Sequence, residues 1–165
     1  MRAALMNGGA FCRTAFAAIN KTATAGGTGD ATEVDGAYVD RLASDHGPFM
    51  SMKVIITFTT TLAAAATLTF AGNMQDATTS GGSGVADYGT AFTATTVATG
   101  PSGGGTVTGT VEIDVDLSAA REFVRAQLTP NLSAANTDTA EWAATYVLFG
   151  SPRQPVSNKI ASIVG

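Results

Sequence analysis

Hydrophobic and polar residues alternate strictly between residues 106 and 117. One set of alternate positions is largely apolar and contains Val107, Val111, Ile113, Val115 and Leu117. The other set is polar and contains Thr108, Thr110, Glu112, Asp114 and Asp116. Because successive side chains of a strand point to opposite faces, this period of two predicts a half-buried β-strand. The same alternation predicts strands over residues 50–58 and 140–148, the second of which carries the only tryptophan, Trp142.

Weaker patterns predict further strands and the loops between them. Residues 33–41 read as a short strand, and the threonines around residues 67–70 favour another. A third, over residues 85–99, is rich in Thr, Val and aromatic residues and has a possible bend near Gly89. Glycine, serine and proline clusters predict loops at residues 76–84 and 100–105.

Residues 117–128 fit two structures. Their apolar positions repeat at helical spacing, and Ser118 could cap such a helix. A turn at residues 118–120 followed by a strand over residues 122–128 fits equally well. We favour the strand because both neighbouring segments are strands, and we expect a turn built on Pro130, Asn131 and Ser133 to follow it.

These elements predict an all-β protein, a β-sandwich or jelly roll of about seven or eight antiparallel strands with an extended N-terminal arm. We divide the chain into an arm over residues 1–30, a β-sandwich domain over residues 31–150 and a C-terminal tail over residues 151–165. The arm is small, glycine-rich and weakly patterned, so it should become ordered only against the domain or a partner.

The composition narrows the classes of partner. The chain of 165 residues can bury a sizeable core as one domain. Its net charge of -4 provides no broad basic field, so we expect no nucleic-acid partner. Charged residues make up 13% of the chain, about half of the usual share, and such a surface suits a protein whose faces are covered by neighbours.

The same composition bears on the compartment. One cysteine, Cys12, excludes an intrachain disulfide. No apolar run approaches the ~20 residues that span a bilayer, so we expect no membrane insertion. The N-terminus loosely imitates a signal peptide, but Asn7 and Arg13 interrupt its apolar part, and we expect it to be retained.

Catalytic chemistry has little support in the sequence, and we predict no catalytic residues. His46, the only histidine, sits in a Gly-Pro turn without a nucleophile elbow nearby, which favours a local hydrogen bond over a catalytic base. Cys12 has one basic neighbour, Arg13, and reads as a small buried thiol.

The sequence gives equally little support to metal, cofactor and sugar sites, and we predict neither a metal nor a cofactor. Glu112, Asp114 and Asp116 follow one strand face at about 6–7 Å per step, too far apart for one calcium ion. Residues 30–36 fail the calcium-loop pattern, and the glycine clusters lack the lysine of a phosphate loop. Trp142 and Tyr146 could stack on a sugar, but their regular alternation favours the core.

Three pieces of the chain, in order, resemble a known family. They are GDATEVDGAYVDR (residues 29–41), the strand over residues 50–58, and DLSAAREFVRAQLTPNLSAANTDTAEWAATYVLFGSPRQPV (residues 116–156). Together they are similar to the small capsid decoration, or cement, proteins of tailed bacteriophages. The resemblance covers roughly residues 29–156, and much of it is carried by the R-x-x-L-T-P-N-L-S stretch.

The resemblance implies a β-sandwich or jelly-roll protein that stabilises a capsid without chemistry. It would be made in the host cytoplasm, form a homotrimer and bind the major capsid protein on the outer surface of the virion. The arm, the glycine-rich loops and the tail would then make the contacts. Two alternatives stay open: a carbohydrate- or receptor-binding head fibre or adhesin, and another virion β-protein such as a tail-tube subunit. The first requires an exposed aromatic cluster drawn from Tyr38, Tyr88, Phe92 and Trp142.

Overall fold

The computed structural model describes residues 8–43, 47–133 and 137–153, and within them the protein is all-β apart from one short 3-10 helix, Gly8–Ala10. Seven strands have ten or more residues: β1 (Arg13–Thr24), β4 (Ser51–Leu62), β5 (Thr67–Ala77), β6 (Ala86–Thr99), β7 (Gly105–Asp116), β8 (Phe123–Leu132) and β9 (Thr139–Phe149). Two more, β2 (Val34–Asp35) and β3 (Val39–Asp40), have two residues each. The predicted all-β class is confirmed, and residues 117–128 form the predicted turn and strand.

The strands form two antiparallel sheets that pack as a sandwich. The first sheet has the order β1-β9-β4-β7. The second has the order β2-β8-β5-β6, and β3 also pairs with β8. β7 and β6 are therefore the last strands of their sheets on one side of the sandwich.

The core lies between the inner faces of the four central strands, β9 and β4 on one side and β8 and β5 on the other. Every second residue of β4 from Met52 to Leu62 is buried, and the same holds for β9 from Ala140 to Leu148. The Phe70 ring meets Trp142 edge-on, with ring centroids 5.4 Å apart, and lies 6.4 Å from Phe58. Such aromatic burial is the main source of stability in a sandwich of this size.

The turn expected at Pro130 and Asn131 is wrong, because β8 runs through both residues. Pro130 lies opposite Phe70 of β5, and the strand ends only at Leu132. The carbonyl of Pro130 accepts a hydrogen bond from the Ala31 N–H, on the side away from β5. The missing N–H of proline faces that same side, beyond the end of β2, so Pro130 costs β8 no ladder bond with β5.

The strand expected over residues 33–41 is interrupted. Gly36 lies between β2 and β3, where the Tyr146 hydroxyl and the Ala126 carbonyl occupy the space that a Cβ would need. The Gly36 N–H donates to that carbonyl at 2.8 Å. The glycine thus keeps the chain close to β8 while two short strands replace one.

The described part of the predicted arm contains β1. This strand pairs along β9 from Arg13 to Thr24, with irregular register between Phe16 and Lys21. Much of the segment is therefore ordered against the sandwich itself, where its apolar residues Ala17, Ala18 and Ala23 are buried. The domain boundaries at residues 30 and 150 stay predictions, and residues 154–165 of the predicted tail lie outside the described residues.

Candidate interaction surfaces

The outer face of the first sheet is built mainly from threonine. Because the inner positions of β4 and β9 are apolar, the alternate positions of these strands must face solvent. Across β1, β9, β4 and β7 the exposed threonines are Thr14, Thr22, Thr24, Thr57, Thr59, Thr61, Thr106, Thr108, Thr110, Thr139 and Thr145. Threonine presents one methyl and one hydroxyl without charge, so burying it against a partner costs less desolvation than burying a charged residue, provided that the hydroxyl keeps a hydrogen bond.

The β1 end of this face is apolar. Phe16 and Ile19 are each 57% exposed, the largest values among the large hydrophobic residues of the described chain. Phe16 lies opposite Thr145, which in turn lies opposite the half-buried Ile55. Asn20 has a φ of 50°, and the register shift beside it directs Ile19 outward.

A shallow concavity of about 440 Å³ opens near this irregular part of β1. It is lined by Asn20, Lys21, Thr22, Thr57, Phe58, Thr59, Glu141, Trp142 and Ala143. Its two aromatic rings are 5% and 3% exposed, so neither offers a free face on which a sugar could stack. The concavity is therefore a shallow depression of mixed polar and apolar lining in the threonine face.

The acidic end of β7 is held by one lysine. Lys53 Nζ of β4 lies 2.6 Å from Glu112 Oε2 and 3.3 Å from Asp114 Oδ1, and these hydrogen bonds raise the pKa of Lys53. The Ser118 N–H donates to Asp116 Oδ1 at 2.8 Å, which lowers the pKa of Asp116. Among the described residues no group of three or more His, Cys, Asp or Glu is placed to hold a metal ion.

A polar network covers part of the outer face of the second sheet, and nothing in the sequence pattern singled it out. It comprises Glu33, Asp35, Asn73, Gln75, Asp87, Arg125 and Gln127. Arg125 is its centre: the guanidinium lies 2.9 Å from Asp35, donates twice to Gln75 Oε1 and stacks 4.8 Å from the Tyr38 ring centroid. The side chains satisfy one another, which indicates a structural role.

Two further arginines tie loops to the sheet edges. Arg41 is 8% exposed and donates to the carbonyls of Phe49, Ala120 and Arg121. Arg121 pairs with the buried Asp76 and donates to the Gly84 carbonyl of the glycine-rich loop. Burial opposes ionisation of Asp76, but the hydrogen bonds from Arg121 outweigh it and lower the pKa of the carboxyl.

The sandwich is open on the side formed by β6 and β7. A cleft of about 600 Å³ lies there, lined by residues of both strands, among them Tyr88, Phe92, Ile113 and Val115. All four side chains are only half-buried. Tyr88 crosses the cleft, and its hydroxyl donates to the Asp116 carbonyl at 2.8 Å.

The remaining predicted positions fall as follows. Trp142 and Tyr146 are buried in the core, as predicted, and burial raises the pKa of Tyr146 to about 12. Cys12 is half-buried, with its thiol 3.9 Å from the Gly9 carbonyl. Asp30 accepts from the N–H groups of Gly26 and Leu132, so its carboxylate closes a turn. His46 lies outside the described residues.

The exposed aromatic cluster required by the carbohydrate-binding alternative is not found among its four candidate rings. Trp142 is 3% exposed, and Tyr88 and Phe92 pack against the core at the open side. Tyr38 is half-buried beneath Arg125. That alternative loses its main support. In the described chain, no helix has the length and apolarity that a membrane span requires.

Comparison with known proteins yields structural similarity alone. No protein-family model and no curated protein matches the chain. Two solved structures of infectious bursal disease virus are similar: the Gx strain, at 12% identity over 87% of this chain with a TM-score of 0.41, and the VP2 protein in T=1 particles, at 9% identity over 83% with 0.39. This chain spans 33% and 31% of the length of those chains, and scores this low carry no inference about function.

Proposed function

We propose that this protein is a non-enzymatic structural component of a bacteriophage virion that decorates the outer surface of the capsid. In this role it is a homotrimer that bridges subunits of the major capsid protein. The sequence resemblance over residues 29–156 motivates the family. A wide, threonine-rich sheet face is compatible with a protein that works by contact.

The observation that carries the proposal is the exposure of Phe16 and Ile19. They lie within residues 1–30, the segment assigned to capsid contact, and each leaves 57% of its surface open to water. Burying such side chains against a neighbour contributes about 25 cal/mol per Å² of apolar surface removed from water. Two large exposed apolar residues on one strand are compatible with a contact that is completed in an assembly.

Cementing then follows from mass action. Each bridging subunit adds interface area between capsid subunits, and a ligand that binds only the closed shell stabilises it against opening. Particles that lack the protein should therefore release DNA at a lower temperature than complete particles. Equal release temperatures would leave decoration without a cementing role, and absence of the protein from purified virions would refute the proposal.

A binding assay tests the contact itself. Capsids without the protein are mixed with the purified chain or with Phe16→Asp, and the bound fraction is measured after sedimentation. We expect at least a tenfold loss of affinity for Phe16→Asp, because the variant would bury a carboxylate. Leu42→Asp is the matched control, since Leu42 is also exposed, at 43%, but lies outside residues 1–30. Equal binding of Phe16→Asp and Leu42→Asp would show that Phe16 of β1 does not contact the capsid.

A further inference from the structure

The strand β7 ends the first sheet and has one edge that is unpaired among the described residues. Within the described part of the chain, β4 is its only neighbour in the sheet. The pairing with β4 runs without a register shift from Gly105 to Asp116, and the strand contains no proline and no lysine. Natural edges of this length normally carry bulges, prolines or charged side chains, or are covered by another chain. On β7 the charged residues Glu112, Asp114 and Asp116 lie in one half of the strand, and the other half carries none.

Backbone directions show which residues of β7 face away from β4. The Leu117 N–H donates to the Met50 carbonyl at 2.9 Å and continues the β4–β7 register. In an antiparallel ladder, residues that face the neighbour alternate with residues that face away. The N–H and C=O groups therefore point outward at Thr106, Thr108, Thr110, Glu112, Asp114 and Asp116. The bond from the Tyr88 hydroxyl to the Asp116 carbonyl agrees, because it reaches that carbonyl from β6.

Apart from the bond to Tyr88, the outward edge has no partner in the described part of the chain over residues 106–114, and Thr110 is the midpoint of this range. On one side of Thr110 the outward-facing residues are threonines, and on the other side they are carboxylates. An antiparallel partner with the same sequence, centred on Thr110, sets Thr108 opposite Glu112 of the partner subunit and Thr106 opposite Asp114 of the partner subunit. Each carboxylate then faces a hydroxyl. Moving the axis to Glu112 would instead set two carboxylates opposite each other, which is destabilising.

We propose that two copies of this protein pair along β7 around a two-fold axis at Thr110, joining their first sheets into one. The pairing also gives cross-strand neighbours to the half-buried apolar side chains, with Val107 opposite Ile113 of the partner subunit. Lys53 already binds Glu112 and Asp114, so one positive charge on each subunit offsets half of the charge of this carboxylate pair. The contact is independent of capsid binding: it forms a dimer of single chains or joins two trimers.

Three substitutions at one position test the pairing in the purified full chain. Thr110→Pro removes an outward N–H at the axis and leaves the bonds to β4 intact. Thr110→Glu and Thr110→Lys each place like charges opposite each other at the axis. We expect all three to halve the particle mass measured by light scattering. Mixing the Glu and Lys variants should restore the full mass, because the two side chains then attract.

Thr57→Glu is the control, since Thr57 lies beside Thr110 on the same exposed face but belongs to the interior strand β4. It should keep the full mass, and circular dichroism should show every variant folded. Unchanged mass for Thr110→Pro would overturn the proposal. A mixture of the Thr110→Glu and Thr110→Lys variants that stays at half mass would also overturn it. A ring of more than two chains, in which β6 of one chain pairs with β7 of the next, would overturn it as well.

Discussion

The strands β4 and β7 carry the same alternating pattern and pair with each other, yet their apolar faces differ in burial. Val54 and Ile56 of β4 are fully buried, whereas their cross-strand neighbours Ile113 and Val111 are only half-buried. The difference lies in what faces each strand. β4 lies between two strands and faces the centre of the second sheet, while β7 faces β6, which is exposed along most of its length.

This comparison shows that alternation determines which side chains point inward, and the opposite sheet determines how much they bury. The closed side of the sandwich has interdigitating Phe58, Phe70 and Trp142. The open side has a cleft spanned by the Tyr88 hydroxyl. We expect the closed side to carry most of the stability and the open side to carry contacts with other chains.

The largest expected effect is a difference in the free energy of unfolding between variants of two isoleucines, one on β4 and one on β7. Ile56→Ala should cost about 2–5 kcal/mol in the free energy of unfolding, the usual range for a fully buried isoleucine. Ile113→Ala should cost about half of that or less, because its side chain already contacts water. Urea unfolding of both variants measures the difference. Equal costs would show that the cleft is closed in solution.

The next effect concerns the attachment of β6 to the sandwich. Gly72 of β5 has no space for a Cβ, which would lie 2.7 Å from the Phe92 ring and against the Gln127 carbonyl. Gly72→Ala should therefore cost about 1–3 kcal/mol through overpacking and speed amide hydrogen exchange in β6. Gly103→Ala is the control, because no atom lies within 4 Å of its Cβ position. Slow exchange in β6 of the Gly72 variant would contradict this attachment.

An effect of comparable or smaller size concerns the loss of folding stability at acid pH, in which Asp76 takes part. Because pairing with Arg121 lowers the pKa of Asp76 in the folded protein, the pair contributes stability above the ordinary carboxyl value of about 4. That contribution is lost as the pH falls through the lower native value. Asp76→Asn should cost about 1–3 kcal/mol at pH 7 and flatten this acid dependence. Unfolding curves from pH 7 to pH 2 measure it, and an unchanged slope would refute it.

The smallest expected effect concerns the loss of folding stability at alkaline pH. Burial raises the pKa of Tyr146 to about 12, so the folded state favours the neutral phenol. Its contribution is present below the ordinary value of about 10 and is lost as the pH rises towards 12. Tyr146→Phe should cost about 1 kcal/mol at pH 7, because the Ala126 N–H loses its acceptor, and should remove part of the alkaline loss. Tyr88→Phe is the half-buried control on the open side.

The fold could be predicted to a large extent from residue patterns. The strands around Val54, Ile113 and Trp142 follow from strict alternation, and the burial of Trp142 and Tyr146 follows from their place in it. The turn predicted at Pro130 is wrong because proline usually ends a strand. Here β2 ends beside Pro130, so the missing N–H costs the sheet no hydrogen bond. The role of β1 was also missed, since Ala17, Ala18 and Ala23 are too small to give a strong periodic signal.

The surfaces could be predicted much less well. The Arg125 network joins residues as distant in sequence as Glu33 and Gln127, which become neighbours only when β2 and β8 pair. The carboxylates of β7 are visible in the sequence, but Lys53, their partner, lies on another strand. Alternation alone gives no information about such cross-strand partners.

The sequence by itself determined the class of fold and the inward residues of each strong strand. These properties depend on local periodicity and on residue types, and both are contained in the sequence. Only the tertiary structure decided that the stretch around Ile113 and Val115 lies at a sheet edge, where the outward N–H and C=O groups of residues 106–114 have no partner among the described residues. Strand order sets that property, because the same alternating pattern is buried beside two neighbours and half-exposed beside one.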